Sequence, residues 1–285
     1  MPPVRPASSL LYAVLALFVG ADAARAGQTK LEAHYVATLA GVQVGRGVWV
    51  VDITDDQYSA AANGRITGLL QMFSSGHGTA AGRGTLGGAN KPLTSNYSAT
   101  VVADKKTDEV RMTVSAGNVK DYSAQPPWPP VPDRVPVTEA HRHGIIDPMS
   151  AWLMPVAGNA DPMRPEACQR TLSVFDGRGR FDLILAYKRT DRVRAERGYS
   201  GPVVVCSVRY NPISGHRPSR SAVKYLMAQR DIEVALAPLA GSRVVVPYRI
   251  SVPTMLGPAV LEATQFQAGP HVTRPVSTGA NSRTF

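Results

Sequence analysis

Hydrophobic residues along this chain form one early apolar run, at residues 10–19, and afterwards only short alternating stretches. The first 26 residues, MPPVRPASSLLYAVLALFVGADAARA, place Arg5 before that run. Ala24-Arg25-Ala26 follows it as a small-x-small cleavage signal ahead of Gly27. The run is short for a bilayer span, so residues 1–26 are expected to be a cleaved secretory signal rather than an anchor. Beyond it the pattern is that of strands. LEAHYVATLAGVQVGRGVWVVDITDD reads as two strands around Ala40-Gly41, because Val-, Tyr- and Trp-rich runs flank a turn-forming pair. Further strands are expected at 58–66, 96–103, 110–115 and 119–122, with an Asp/Lys-rich turn over 104–109. In the second half, 172–175 and 180–187 flank the hairpin signal Asp176-Gly177-Arg178-Gly179. Strands at 203–210, 232–236, 243–252 and 259–266 complete the series.

Several segments interrupt this alternation. GLLQMFS at 68–74 fits either a short helix or a buried strand. GHGTAAGRGTLGG lacks the GxxxxGK[ST] spacing of a phosphate loop and is expected to be a flexible turn or an irregular edge strand. QPPWPPVPDRVP puts six prolines within 126–136, which opposes central-sheet pairing and predicts an extended strap packed over the core through Trp128. DPMSAWLM predicts a two-turn helix: Asp147 caps free amides, Pro148 suits the first helical position, and Pro155 ends it. Residues 268–285 are polar and read as a mobile tail. Without alternating βαβ units or heptads, the expected architecture is mainly β. It is a strongly curved antiparallel sheet or incomplete β-barrel with one or two short helices, in a single domain over 27–267.

Composition narrows the functional classes. The chain has 285 residues, a formal net charge of +10 and two cysteines. Loss of Arg5, Arg25 and Asp22 with the signal would leave an excess of nine. Two cysteines exclude a disulfide-dense scaffold, a Cys₄ zinc site and a single-chain iron–sulfur cluster. In an oxidising compartment, Cys168 and Cys206 are expected to be bridged rather than free, which would remove about 4 kcal/mol of unfolded-state entropy in the polymer treatment. His141 and His143 share one face of an extended strand and Asp147 lies nearby, a weak alternative for metal binding that lacks a fourth ligand. Asp147 already has a capping role. Ser221 and Lys224 form a lone SxxK without companion motifs, and no GxSxG elbow is present. The basic stretches KRTDRVRAER and Arg217–Arg220 read as solvated turns or contacts with an anionic envelope surface, not as nucleic-acid readers. No cofactor is implied.

Three stretches carry a family resemblance: GIIDPMSA at 144–151; CQRTLSVFDGR at 168–178; and Tyr199-x-Gly201 leading to CSVRYNPISGH at 206–216. With these the chain resembles the bacterial DUF3108 family of exported proteins of uncharacterised function. The resemblance implies a periplasmic β-rich body similar to the half-barrel sheets of lipoprotein carriers, and supplies no catalytic residue. The leading expectation is a noncatalytic envelope protein that binds or carries a lipid-like ligand. Arg170, Asp176, Arg178, Arg209 and Tyr210 are its candidate polar rim or structural network. The alternatives are a periplasmic scaffold that binds another envelope protein, and an unrecognised hydrolase.

Overall fold

The structure, a computed structural model, describes residues 29–54, 57–68, 75–86, 92–158 and 161–270. The expected signal segment lies outside the described residues. So do most of 68–74 and, beyond Pro270, the expected tail.

The first seven strands follow one another as a meander. They are β1 (Thr29–Leu39), β2 (Val42–Thr54), β3 (Gln57–Ile66), β4 (Gly76–Leu86), β5 (Pro92–Ala103), β6 (Lys106–Ser115) and β7 (Asn118–Gln125). After a long irregular stretch come β8 (Met154–Pro155), β9 (Arg170–Phe175), β10 (Arg180–Arg194), β11 (Arg197–Gly198), β12 (Ser200–Ser214), β13 (Ile232–Pro238), β14 (Val244–Thr254) and β15 (Gly257–Pro270). One α-helix, α1 (Ser221–Ala228), intervenes. All belong to one 15-stranded sheet with the order β7-β6-β5-β4-β3-β2-β1-β15-β14-β13-β12-β10-β9. Every neighbour on this path is antiparallel, and the sheet is not closed into a barrel. The mainly β, open-sheet expectation is therefore met. First and last strands lie side by side in the middle of the order, with Thr29 opposite Pro270.

Alternation decides which side chains enter the core. Leu31, Ala33 and Tyr35 of β1 turn inward with Trp49, Val51 and Ile53 of β2, and with Val110, Met112 and Val114 of β6. From the other half come Val203, Val205, Val246, Tyr248 and Phe266. The segment 145–153 sits among them as a plug. Trp152 packs edge-on against Trp49, with centroids 5.4 Å apart, and Ile145, Met149 and Leu153 are buried. Asp147 anchors this plug. One carboxylate oxygen accepts the Met149 and Ser150 amides, each at 2.9 Å, and the other accepts the Ser95 hydroxyl at 2.7 Å. The Ser150 hydroxyl adds a further bond to Asp147 and meets the Tyr58 hydroxyl. The expected cap forms, but the expected two-turn helix does not. Only one 3₁₀ turn forms, over Ser150–Trp152, and the chain then leaves as β8 to pair with β14.

Other segments also depart from their expected form. The glycine-rich stretch is an interior strand, β4, paired on both sides. Its glycines permit close approach: a Cβ on Gly84 would stand 2.0 Å from the Thr94 carbonyl oxygen, and one on Gly82 would meet Met149. The 104–109 turn shrinks to Asp104-Lys105, with Ala103 opposite Lys106. KRTDRVRAER is not a turn. β10 runs through it to Arg194, opposite Ser200–Val205 of β12. The strap is irregular as expected, but Trp128 is exposed rather than packed on the core, stacked by the Arg134 and Arg178 guanidinium groups at 4.3 and 4.9 Å. Residues 268–270, expected to open the tail, finish β15.

Candidate functional site

The strands of the second half are apolar at consecutive positions, so their second face needs cover as well. Cross-strand partners build that face row by row. Leu172, Leu183 and Tyr210 form one row; Leu185, Val208 and Ile232 the next; Cys206, Val234 and Ile250 the third. Part of the face is covered by residues 154–158 and 161–168, fastened by the Cys168–Cys206 disulfide, whose Cα atoms are 5.4 Å apart and whose cysteines are fully buried. Met154, Val156 and Ala167 pack there with Val204, Leu236 and Val245.

Cover is incomplete. Between the covering segment and α1 lies an apolar cavity of about 290 Å³, lined by Leu172, Phe181, Leu183, Val208, Tyr210, Ile232, Val234, Ile250 and Val252. Trp152 and Met154 close one side and Leu226 of α1 another. Leu172, Leu183, Tyr210, Leu226, Ile250 and Val252 remain only partly buried. The charged group in the wall, Glu233, is already engaged: Arg189 donates to both of its oxygens at 2.9 Å, and Lys188 lies at 2.7 Å. Those bonds hold the Glu233 carboxyl down at about 2. The lining thus offers apolar contact with little hydrogen bonding, the property of a site for a hydrocarbon chain rather than for a polar metabolite.

Larger depressions, of about 550 and 470 Å³, lie on the outward face of β1–β7. Their floors are polar and small, with Ser59, Ala61, Ala81 and Ser98 among the lining residues of the first.

The candidate polar residues do not converge. Asp176 completes the β9–β10 turn, accepting the Arg178 and Gly179 amides at 2.8 and 2.7 Å. Arg178 crosses between the two sheet edges, donating to Asp108 on β6 and to the carbonyl oxygens of Gln125 and Pro126. Arg170 stands on the groove face, opposite Leu185, with its Nε buried and unbonded, and burial lowers its pKa. Arg209 is exposed on β12. Of the five, Tyr210 alone lines the cavity, where it packs against Phe181 and burial raises its phenol pKa. Burial, reinforced by the Asp147 charge, likewise raises the Tyr58 and Tyr97 phenols.

The weak metal alternative separates in space. His141 accepts the Thr138 amide, His143 bonds the Asn118 side chain, and Asp147 is inside the plug. Among the described residues no group of three His, Cys, Asp or Glu side chains is gathered for a metal ion. Ser221 and Lys224 sit on exposed positions of α1.

Sequence reading missed the groove itself. Its available signal was the consecutive apolar residues of β12, β13 and β14, which announce a sheet buried on both sides. It also missed α1, whose Val223, Leu226 and Met227 spacing is helical.

A family model described as a protein of unknown function, DUF3108, matches residues 32–264. The chain belongs to the DUF3108 family. No curated protein and no solved structure matches it. The matched span of this DUF3108 chain includes the plug, the disulfide and all the groove strands. Among its described residues no helix is long and apolar enough to cross a membrane, and the disulfide fits an extracytoplasmic location.

Proposed function

We propose that this DUF3108 protein is a noncatalytic envelope protein, exported to the periplasm, that binds a lipid-like molecule through its hydrocarbon chain. The observation that carries this reading is the partly open apolar groove behind β9, β10, β12, β13 and β14. A structural sheet would fill such a space with its own side chains, because apolar surface left wet forgoes about 25 cal/mol per Å². Here a disulfide-fastened cover and a short helix stop short of closing it. The volume lies near the lower end for small-molecule sites and suits one narrow chain.

Extraction of the natively purified protein, followed by mass spectrometry, should recover a stoichiometric acyl-bearing species. A fluorescent fatty acid should then bind the emptied protein, and Ile250→Trp, which fills the groove, should weaken that binding at least about tenfold without changing the melting transition appreciably. An emptied wild-type protein that binds no apolar probe overturns the proposal.

A further inference from the structure

One end of the sheet carries apolar side chains where turns ordinarily carry polar ones. The β14–β15 turn is Met255-Leu256, exposed by 65% and 75%, and Val42, beside the neighbouring β1–β2 turn, is 51% exposed. The two turns touch: the Ala40 amide donates to the Pro258 carbonyl at 2.9 Å. Helix α1 joins them through Tyr225, whose hydroxyl donates to the Thr254 carbonyl, and presents Met227, 43% exposed, with Lys224 nearby.

A second feature lies a short way up the same end, on the outward face. Arg46 of β2 is directly opposite Arg65 of β3, and Arg65 is opposite His77 of β4. Like charges directly across a strand pair destabilise it, so the row calls for a counter-charge. The depression it lines, about 470 Å³, carries no carboxylate among its described residues, and His34, Asn63 and Thr79 add polar groups. Glu32, two positions from His34 along β1, is tied to the His34 ring at 2.9 Å. Arg46 is four residues from Val42, roughly 13 Å along an extended strand. With the turns sunk about 5–10 Å into the boundary between headgroups and acyl chains, the cationic row would lie at phosphate level.

We infer that this end of the sheet docks on an anionic lipid bilayer, with Val42, Met255, Leu256 and Met227 entering the surface and Arg46, Arg65 and His77 meeting lipid phosphates. The groove reaches toward the same end: Val252 lines it two residues before Thr254, and Leu226 lines it beside Met227. Docking stands on the turns and the cationic row, whereas its use to pass an acyl chain into the groove rests on the function proposed above.

Flotation of the exported chain with vesicles tests this. The chain should float with phosphatidylglycerol/phosphatidylethanolamine vesicles and not with phosphatidylcholine alone. The double variant Met255→Ser/Leu256→Ser should bind at least about tenfold more weakly. Arg46→Gln/Arg65→Gln should lose roughly tenfold at low salt and flatten the salt dependence. Unchanged melting of both variants would show that the fold is intact. Equal flotation on neutral vesicles, or wild-type flotation by both variants, overturns the inference. So does saturable binding of inorganic phosphate without flotation, which would make the row a small-anion site. A dimer that Met255→Ser/Leu256→Ser abolishes, again without flotation, overturns it as well. Fatty-acid binding without flotation sinks docking alone; flotation without fatty-acid binding sinks only the groove's proposed ligand.

Discussion

Along β2, β3 and β6 apolar side chains enter the core at every second position, whereas Val203, Val204, Val205 and Cys206 on β12 are all fully buried in succession. The same contrast separates the alanine-, serine- and threonine-bearing outer face of the first half from Val244, Val245 and Val246 on β14. A strand buried on one face needs one layer of partners; a strand buried on both needs two. The first half therefore leans on a single plug, held by Asp147, and leaves its outer face wet. The second half recruits a further layer, secured by a disulfide, and the gap in that layer is the groove. Each half thus offers its outward face, one polar, the other apolar.

This comparison can be broken by experiment. Asp147→Ala should cost most, about 3–5 kcal/mol, because buried donors from Ser95, Ser150 and two backbone amides lose their acceptor. In urea unfolding with hydrogen exchange, β3, β4 and β5 should lose more protection than β12–β14. Uniform loss would show that the halves do not differ in this way. Replacing Cys168 and Cys206 together with Ala should cost about 2–4 kcal/mol, felt first in 154–158, 161–168 and β12. If β2–β5 loosen equally, the second layer is not a separate support. Glu233→Gln should have the smallest effect, about 1 kcal/mol or less. The Glu233 carboxyl is lowered in the fold to about 2 by Arg189, so its contribution is present above the ordinary carboxylate range and disappears as pH falls toward 2. The stability gap between wild type and Glu233→Gln should therefore close between about pH 5 and pH 2. A gap that widens on acidification would reverse the assignment.

Local chemistry made much of the architecture legible. Asp176-Gly177-Arg178-Gly179 announced its hairpin, Ala40-Gly41 its turn and Asp147-Pro148 its cap, because each depends on neighbours in sequence. What escaped depends on distant partners. The glycines of β4 look like a loop until Tyr58, Thr94 and Met149 are seen occupying the space their side chains would fill. Basic residues after Lys188 look solvated until Glu233, across the sheet, pairs with Arg189. Trp128 looked like a core anchor because its two stacking arginines lie on different segments, at 134 and 178. The cysteine pair was legible, but the groove beside it was not, since a cavity belongs to the spacing between layers and has no sequence motif.

The pairing of β1 with β15 sets an order of events during folding. β1 can form its hairpin with β2 early, yet its other edge, with Leu31, Ala33 and Tyr35 beside it, has no strand to join until residues 257–270 are in place. Closure of the sheet is therefore a late, sequence-distant step, of the kind that slows folding and leaves a templating edge exposed meanwhile. A chain truncated before β15 would carry the β1–β7 meander with the outer flank of β1 left open.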